Sequence, residues 1–196
     1  MVIVTTLSLQ MIQSKLDNII IKHLSFPEST GLQQRGIADK IESDCNRIIN
    51  EHFENVIPAR SRKSTEDISI GETYVDHKTS DESLDFKMPN MISIEKLKKL
   101  ENDIIYNFVI YNSKSKKIVK TFALNLYELN WDHLHIQNLG TGQLQINNMK
   151  EFLKSPKSTM TKEQWRERLQ SEVIIFYVSL IKKTTKRQQE WEKWKK

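Results

Sequence analysis

Asp67-Ile68-Ser69-Ile70-Gly71-Glu72-Thr73-Tyr74-Val75-Asp76-His77-Lys78-Thr79 is the stretch that decides the fold. Ile68-Ser69-Ile70 and Tyr74 to Lys78 are two β-favourable runs on either side of Gly71-Glu72, which predicts a hairpin. Side chains two apart on a strand share a face, so Asp76 and Lys78 point one way and His77 the other. Pairing across the turn brings Asp67 toward Asp76. Two carboxylates and an ammonium then converge. The same residues also read as a surface hairpin of alternating charge, and spacing alone leaves both readings open. A second acid and lysine at the same spacing, Asp85 and Lys87, lack any strand context.

Outward from the hairpin, Ile104-Ile105-Tyr106-Asn107-Phe108-Val109-Ile110-Tyr111 is the strongest strand pattern in the chain, and its unbroken apolar run predicts a central position. Lys114 to Lys117 make a polar turn, and Ile118 to Leu126 reads as another strand. Between the hairpin and these strands, Met88-Pro89-Asn90 precedes a predicted helix that starts at Ser93 or the preceding Asn and faces inward through Leu97 and Leu100. On the N-terminal side, Leu9, Ile12, Leu16, Ile19 and Ile20 recur at helical spacing, as do Ile37, Ile41, Cys45, Ile48 and Ile49. Glu42 sits at the edge of that second stripe. After the break at Ser155-Pro156, Thr161-Lys162-Glu163-Gln164 is a capping-box signature for a long last helix through Trp165, Leu169, Val173, Phe176 and Leu180. The predicted order is α-α-β-β-α-β-β-loop-α: one α/β domain, a mixed sheet flanked by helices.

Composition agrees with a globular chain. Of 196 residues, 38% are hydrophobic and 28% charged, enough to build a core without metal or disulfide staples. With a single cysteine, Cys45, no internal disulfide is possible, which fits a reducing compartment. The longest apolar run, Val173 to Leu180, is far below the roughly 20 residues that span a bilayer, and Met1 to Thr6 lacks a basic leader, so neither secretion nor membrane insertion is expected. The net charge of +5 is compatible with nucleic acid without demonstrating it. Lys182, Lys183, Lys186, Arg187, Lys193, Lys195 and Lys196 crowd the C-terminal end, where they read as a solvated helix end or as phosphate contacts.

Two carboxylates beside a lysine suit phosphodiester chemistry. Mg²⁺ takes oxygen ligands and keeps some of its waters, so Asp67 and Asp76 can hold it, with His77 contributing through its backbone carbonyl. Lys78 would stabilise or deprotonate the attacking water. His133 and His135 lack further ligands for a metal site of their own.

Tyr74-Val75-Asp76-His77-Lys78-Thr79 followed by Phe86-Lys87-Met88-Pro89-Asn90-Met91-Ile92-Ser93 resembles the catalytic segment of PD-(D/E)xK type II restriction endonucleases, most closely the EcoRV/HincII-like branch. Ile136-Gln137-Asn138-Leu139-Gly140-Thr141-Gly142-Gln143-Leu144-Gln145 resembles that branch's base-reading loop and strand, and Thr161 to Trp165 the start of its C-terminal helix. The resemblance implies Asp67 and Asp76 as metal ligands, Lys78 as the catalytic lysine and Glu42 as the acid of the N-terminal helix. It departs at Glu66, which stands where the motif nominally has Pro.

Asn and Gln bond adenine through two hydrogen bonds, and glycines let backbone approach base edges, so Gln137, Asn138, Gly140, Thr141 and Gln143 are the candidate reader. The implied layout of the single domain, residues 1–196, is a helical N-terminal segment (1–54), a catalytic sheet core (55–130), a reading loop and strand (131–150), and a C-terminal helix (159–196). The implied activity is Mg²⁺-dependent cleavage of double-stranded DNA at a short palindrome, leaving 5′-phosphates, in the cytoplasm of a prokaryote and alongside a DNA methyltransferase. A palindrome also implies a homodimer, with the N-terminal helices or the last helix, bearing Trp191 and Trp194, as its interface. A repair or junction-resolving nuclease of the same fold and a non-catalytic DNA-binding protein are the rival readings.

Overall fold

Two helices open the described region of the chain because each presents one apolar stripe. In α1, Leu9–His23, Ile12, Leu16, Ile19 and Ile20 are buried, and Ser8 caps the first turn by accepting a hydrogen bond from the Met11 backbone. In α2, Gln34–His52, the buried stripe is Ile41, Cys45, Ile48 and Ile49. The computed structural model describes residues 7–28, 34–59, 65–84, 89–137, 142–155 and 157–194.

The hairpin forms as expected. β2, Ile68–Ile70, runs antiparallel to β3, Thr73–Asp81, with Ile70 opposite Thr73 and Ile68 opposite Val75. Gly71 makes the turn at φ +59°, a conformation that side chains with a Cβ resist. β1, Val56–Pro58, extends this edge. On its other side β3 pairs in parallel with β5, Ile104–Asn112, which pairs antiparallel with β6, Lys117–Asn125. The order β1-β2-β3-β5-β6 is a mixed five-stranded sheet with β3 in the middle and β5 beside it.

Alternate residues of β5 feed two cores. Ile105, Val109 and Tyr111 pack with α1 and α2, whereas Ile104, Tyr106, Phe108 and Ile110 pack with the elements on the opposite face. That second core holds a second sheet of three strands, which the predicted element order lacks. β4, Asn90–Ser93, pairs with β8, Gln143–Ile146, and β8 pairs with β7, Leu134–Gln137. The expected helix after Asn90 is therefore shortened to α3, Ile94–Lys98, with Ser93 as its N-cap. Met91 and Ile92 form too short an apolar run to distinguish strand from helix by periodicity, and the partner that decides, β8, lies far along the chain. The 131–150 segment correspondingly contributes to this sheet. His133 closes a 3₁₀ turn, Trp131–His133, and Ser155 hydrogen-bonds its ring, whereas His135 lies on β7.

The short α4, Met149–Phe152, precedes α5, Lys162–Trp194. The capping box opens α5 as expected: Thr161 Oγ1 accepts from the Gln164 backbone at 3.2 Å, and Gln164 Oε1 accepts from the Thr161 backbone at 2.9 Å. Trp165 is completely buried against Trp131 and donates its indole N–H to the Leu129 carbonyl. Among the described residues no helix is long and apolar enough to cross a membrane.

Candidate active site

β2 is short, and its shortness makes the site. The last ladder bond of β2 with β3 runs from the Asp67 backbone N–H to the Val75 carbonyl. Beyond it, no β2 backbone remains to pair with His77. The Asp67 side chain takes that place, and its Oδ2 accepts the His77 backbone N–H at 2.7 Å. N–H and C=O of one strand residue point the same way, so the His77 carbonyl faces the same open edge. Asp67 is thereby fixed against β3 by a charge-assisted bond.

Asp76 and Lys78 share a face, as the strand period requires, and form an ion pair at 2.6 Å. Asp76 is 8% exposed. Burial, with a smaller contribution from the Asp67 carboxylate, pushes its pKa up to about 7 against the pull of Lys78. Glu42 reaches the same cluster from α2. Desolvation, with repulsion from Asp67, Asp39 and Asp76, lifts it to about 7, although Lys78 draws it down. The mutual influence of Glu42, Asp67, Asp76 and Lys78 places all four side chains in one electrostatic neighbourhood. Three acids then face one lysine.

His77 turns away, toward α2, and is 3% exposed. Its Nε2 is 3.0 Å from Asn46 Oδ1, and its Nδ1 accepts from Asn107 Nδ2 at 2.9 Å. One partner can only accept and the other only donate, which fixes a neutral ring protonated at Nε2. Burial accordingly lowers its pKa to about 4. Asn107 is fully buried on β5 opposite His77 and also approaches Cys45 Sγ at 3.8 Å. Cys45 itself is a buried small side chain whose thiol burial pushes up to about 12.

Asn46, Asn107 and Tyr106 are site residues that the sequence reading missed. Tyr106 lies opposite Asp76 in the parallel register, fully buried, with Lys78 Nζ 5.9 Å from its ring centre. Its hydroxyl has no partner among the described residues. The signal that would have found them is the register of β3 with β5, which residue types along the chain do not carry.

On the second sheet, Gln137 lies opposite Gln143 and His135 opposite Gln145, so the four side chains line one face. Gln145 donates to Asn90 Oδ1 across β4 and β8 at 3.0 Å, stabilising the sheet. Gln137 Oε1, Gln143 Oε1 and His135 Nδ1 are buried without hydrogen-bond partners among the described residues. Asn138, Gly140 and Thr141 lie outside the described residues, as do Asp85 and the segment through Met88.

Two carboxylates and the His77 carbonyl at an open strand edge can hold a hard divalent cation that completes its shell with water and phosphate oxygens. Among the described residues no group of three or more His, Cys, Asp and Glu side chains could hold a metal ion, so a cation here would rest on the two carboxylates and the carbonyl. Three carboxyl groups, Glu42, Asp67 and Asp76, beside the single Lys78 leave room for the charge of a bound cation. No protein-family model matches this chain, and it has no match among curated proteins.

Proposed function

We propose that this chain is a Mg²⁺-dependent endonuclease that hydrolyses phosphodiester bonds of duplex DNA at a short specific site, in the manner of type II restriction endonucleases. The observation that carries this reading is the convergence of Asp67, Asp76 and Lys78, with Glu42 beside them, where β2 ends and leaves the edge of β3 open. A bound Mg²⁺ would lower the pKa of a coordinated water and neutralise charge on the scissile phosphate. The protein supplies the rest. His77 N–H holds the Asp67 carboxylate in place, and Asp76 holds the Lys78 ammonium at the attack position. Lys78 orients the water that attacks phosphorus in line with the leaving group. The P–O3′ bond breaks, its electron pair leaves on the 3′ oxygen, and the phosphate stays on the 5′ side.

The polar face of the second sheet supports a role in reading bases. Buried amide oxygens without partners are costly unless a ligand satisfies them, and side-chain amides of Gln match the edge of adenine. The proposed partner is therefore double-stranded DNA, with Gln137 and Gln143 at its base edges. A protective DNA methyltransferase belongs with that activity.

Incubation of the purified chain with unmethylated phage-sized duplex DNA tests the reading. The expected result is a reproducible ladder with Mg²⁺ and none with EDTA. Asp76→Ala and Lys78→Ala should each reduce cleavage by about a thousandfold or more, since each removes a group acting on the reacting phosphate. A folded protein that binds DNA yet cuts nothing with any divalent metal would overturn the proposal.

A further inference from the structure

The last sixteen residues, Ile181 to Lys196, hold seven Lys and Arg and two Glu, a net charge of +5. The whole chain also carries +5, so residues 1–180 are electrically balanced. All of the excess sits on the distal end of α5, where every described residue from Ile181 to Trp194 is exposed. At about 100° per residue, Lys182, Lys183, Lys186, Arg187 and Lys193 fall within about 140° of the helix circumference. Glu190 is the one acid in that arc. Trp165 and Leu169, which pack in the second core, fall on the same side, so the basic arc continues the packed face of α5 beyond the body of the protein. Its near end meets the polar face of the second sheet, where Lys183 and Ser179 line a groove with His135 and Gln137 of β7. Glu172 in that groove is already paired with Arg168 at 2.8 Å.

We propose that this arc is a sequence-independent contact with the phosphates of duplex DNA, beside the face that reads bases. The inference rests on the reading of DNA as the partner and adds a second surface to it. Three observations carry it. First, the charge is unpaired: among the described residues none of the five cations has an ion pair, whereas Lys162 and Arg168 of the same helix do. Second, the arrangement is one that a merely solvated helix avoids. Lys182 and Lys186, like Lys183 and Arg187, are like charges at i and i+4, which repel along an exposed helix, while Arg168 and Glu172 show the favourable pairing at that spacing. A polyanion relieves that repulsion. Third, the cations form a row about 17 Å long, at about 1.5 Å per residue, and duplex DNA presents about one charge per 1.7 Å of its axis. A lipid surface fits less well. Ile181 and Trp191 are separated around the helix by Thr184 and Gln188, so the exposed end has no continuous apolar face to bury in a bilayer.

Binding of a short mixed-sequence duplex in EDTA, measured across a range of salt, tests the inference without cleavage. Lys182→Gln, Lys183→Gln, Lys186→Gln and Arg187→Gln together should flatten the slope of log affinity against log salt by about 3–4. They should also weaken binding about a hundredfold or more, on every duplex sequence alike. Lys114→Gln with Lys117→Gln, exposed at the turn between β5 and β6, should leave the slope unchanged. Trp191 and Trp194 are 66% and 79% exposed, while Trp131 and Trp165 are buried, so acrylamide quenching of tryptophan fluorescence reads this end of α5 in the native chain. Duplex should protect the two exposed indoles from the quencher. This readout needs no variant, and it decides if the glutamine variant does not fold. A chain that binds no duplex at any salt removes the DNA reading together with this inference. A chain that binds duplex with its slope unaltered by the four glutamines, or flattened equally by the Lys114 and Lys117 pair, overturns this inference alone, as does unchanged quenching on binding. Pelleting with anionic vesicles by a chain that ignores duplex DNA overturns it in favour of a lipid surface.

Discussion

Glu42 has no hydrogen bond or ion pair to lose among the described residues, so its charge can be removed cleanly. Its pKa of about 7 lies above the ordinary carboxyl value, chiefly through desolvation. The folded chain therefore holds a proton there, between about pH 4.5 and 7, that the unfolded chain releases. The stability tied to this group is fully present below the unfolded pKa and is lost as pH rises through 7. Glu42→Gln should accordingly stabilise the metal-free protein at pH 8 by about 1–2 kcal/mol after allowing for solvent screening, which is a few degrees in Tm. The gain should vanish near pH 5, and thermal melts in EDTA across that range check it. Asn107 offers the opposite case. Truncating it to Ala leaves His77 Nδ1 buried without its donor, at a cost of about 1–3 kcal/mol measurable by denaturant unfolding. Asp76 and Lys78 were legible in the sequence because a two-residue period is local. Asn107 and Tyr106 were not, because their approach to β3 is a matter of register between strands separated by β4 and α3.

Elements meet at two glycines that illustrate different constraints. Gly71 turns the β2–β3 hairpin at φ +59°, with nothing within 4 Å of the place a Cβ would occupy. Gly71→Ala should thus cost only the backbone penalty, about 1 kcal/mol. Gly142 enters β8 at φ +102°, and a Cβ there would stand 2.5 Å from Ile94 Cδ1 and 3.1 Å from Phe176 Cε1. Ile94 is 2% exposed and has little room to yield. Gly142→Ala should cost at least twice as much as Gly71→Ala, since it pushes apart α3, β8 and α5 as well as straining the backbone. Paired urea titrations of the two variants give the comparison. The hairpin, the strong strand, both N-terminal helices and the capping box of α5 could be read from the chain because their signals are local. The second sheet could not. Its strands are four residues each, and β4 finds its partner β8 only through the tertiary fold.

Both faces of the five-stranded sheet are covered, and β5 belongs to both cores. Helices α1 and α2 cover one face. The second sheet, α4 and the first turns of α5 pack on the other through Phe152, Trp131 and Trp165. Neither core can be dismantled without exposing β5, so the two should unfold together although they share few side chains. Phe108 tests this. It is fully buried in the second core, stacked on Phe122 at 4.8 Å and tilted against Phe152 at 5.4 Å. Phe108→Ala should cost about 3–5 kcal/mol through lost burial and the cavity left behind. If β5 couples the cores, that loss moves one common transition. Near-UV circular dichroism, dominated by aromatic packing in the second core, and hydrogen exchange at Ile48 and Ile49 in the first should then report the same drop in stability. Protection at Ile48 and Ile49 that survives the Phe108 substitution unchanged would mean that the cores unfold independently. The open edge of β3, where Asp67, Asp76 and Lys78 meet, would then depend on the α2 side alone.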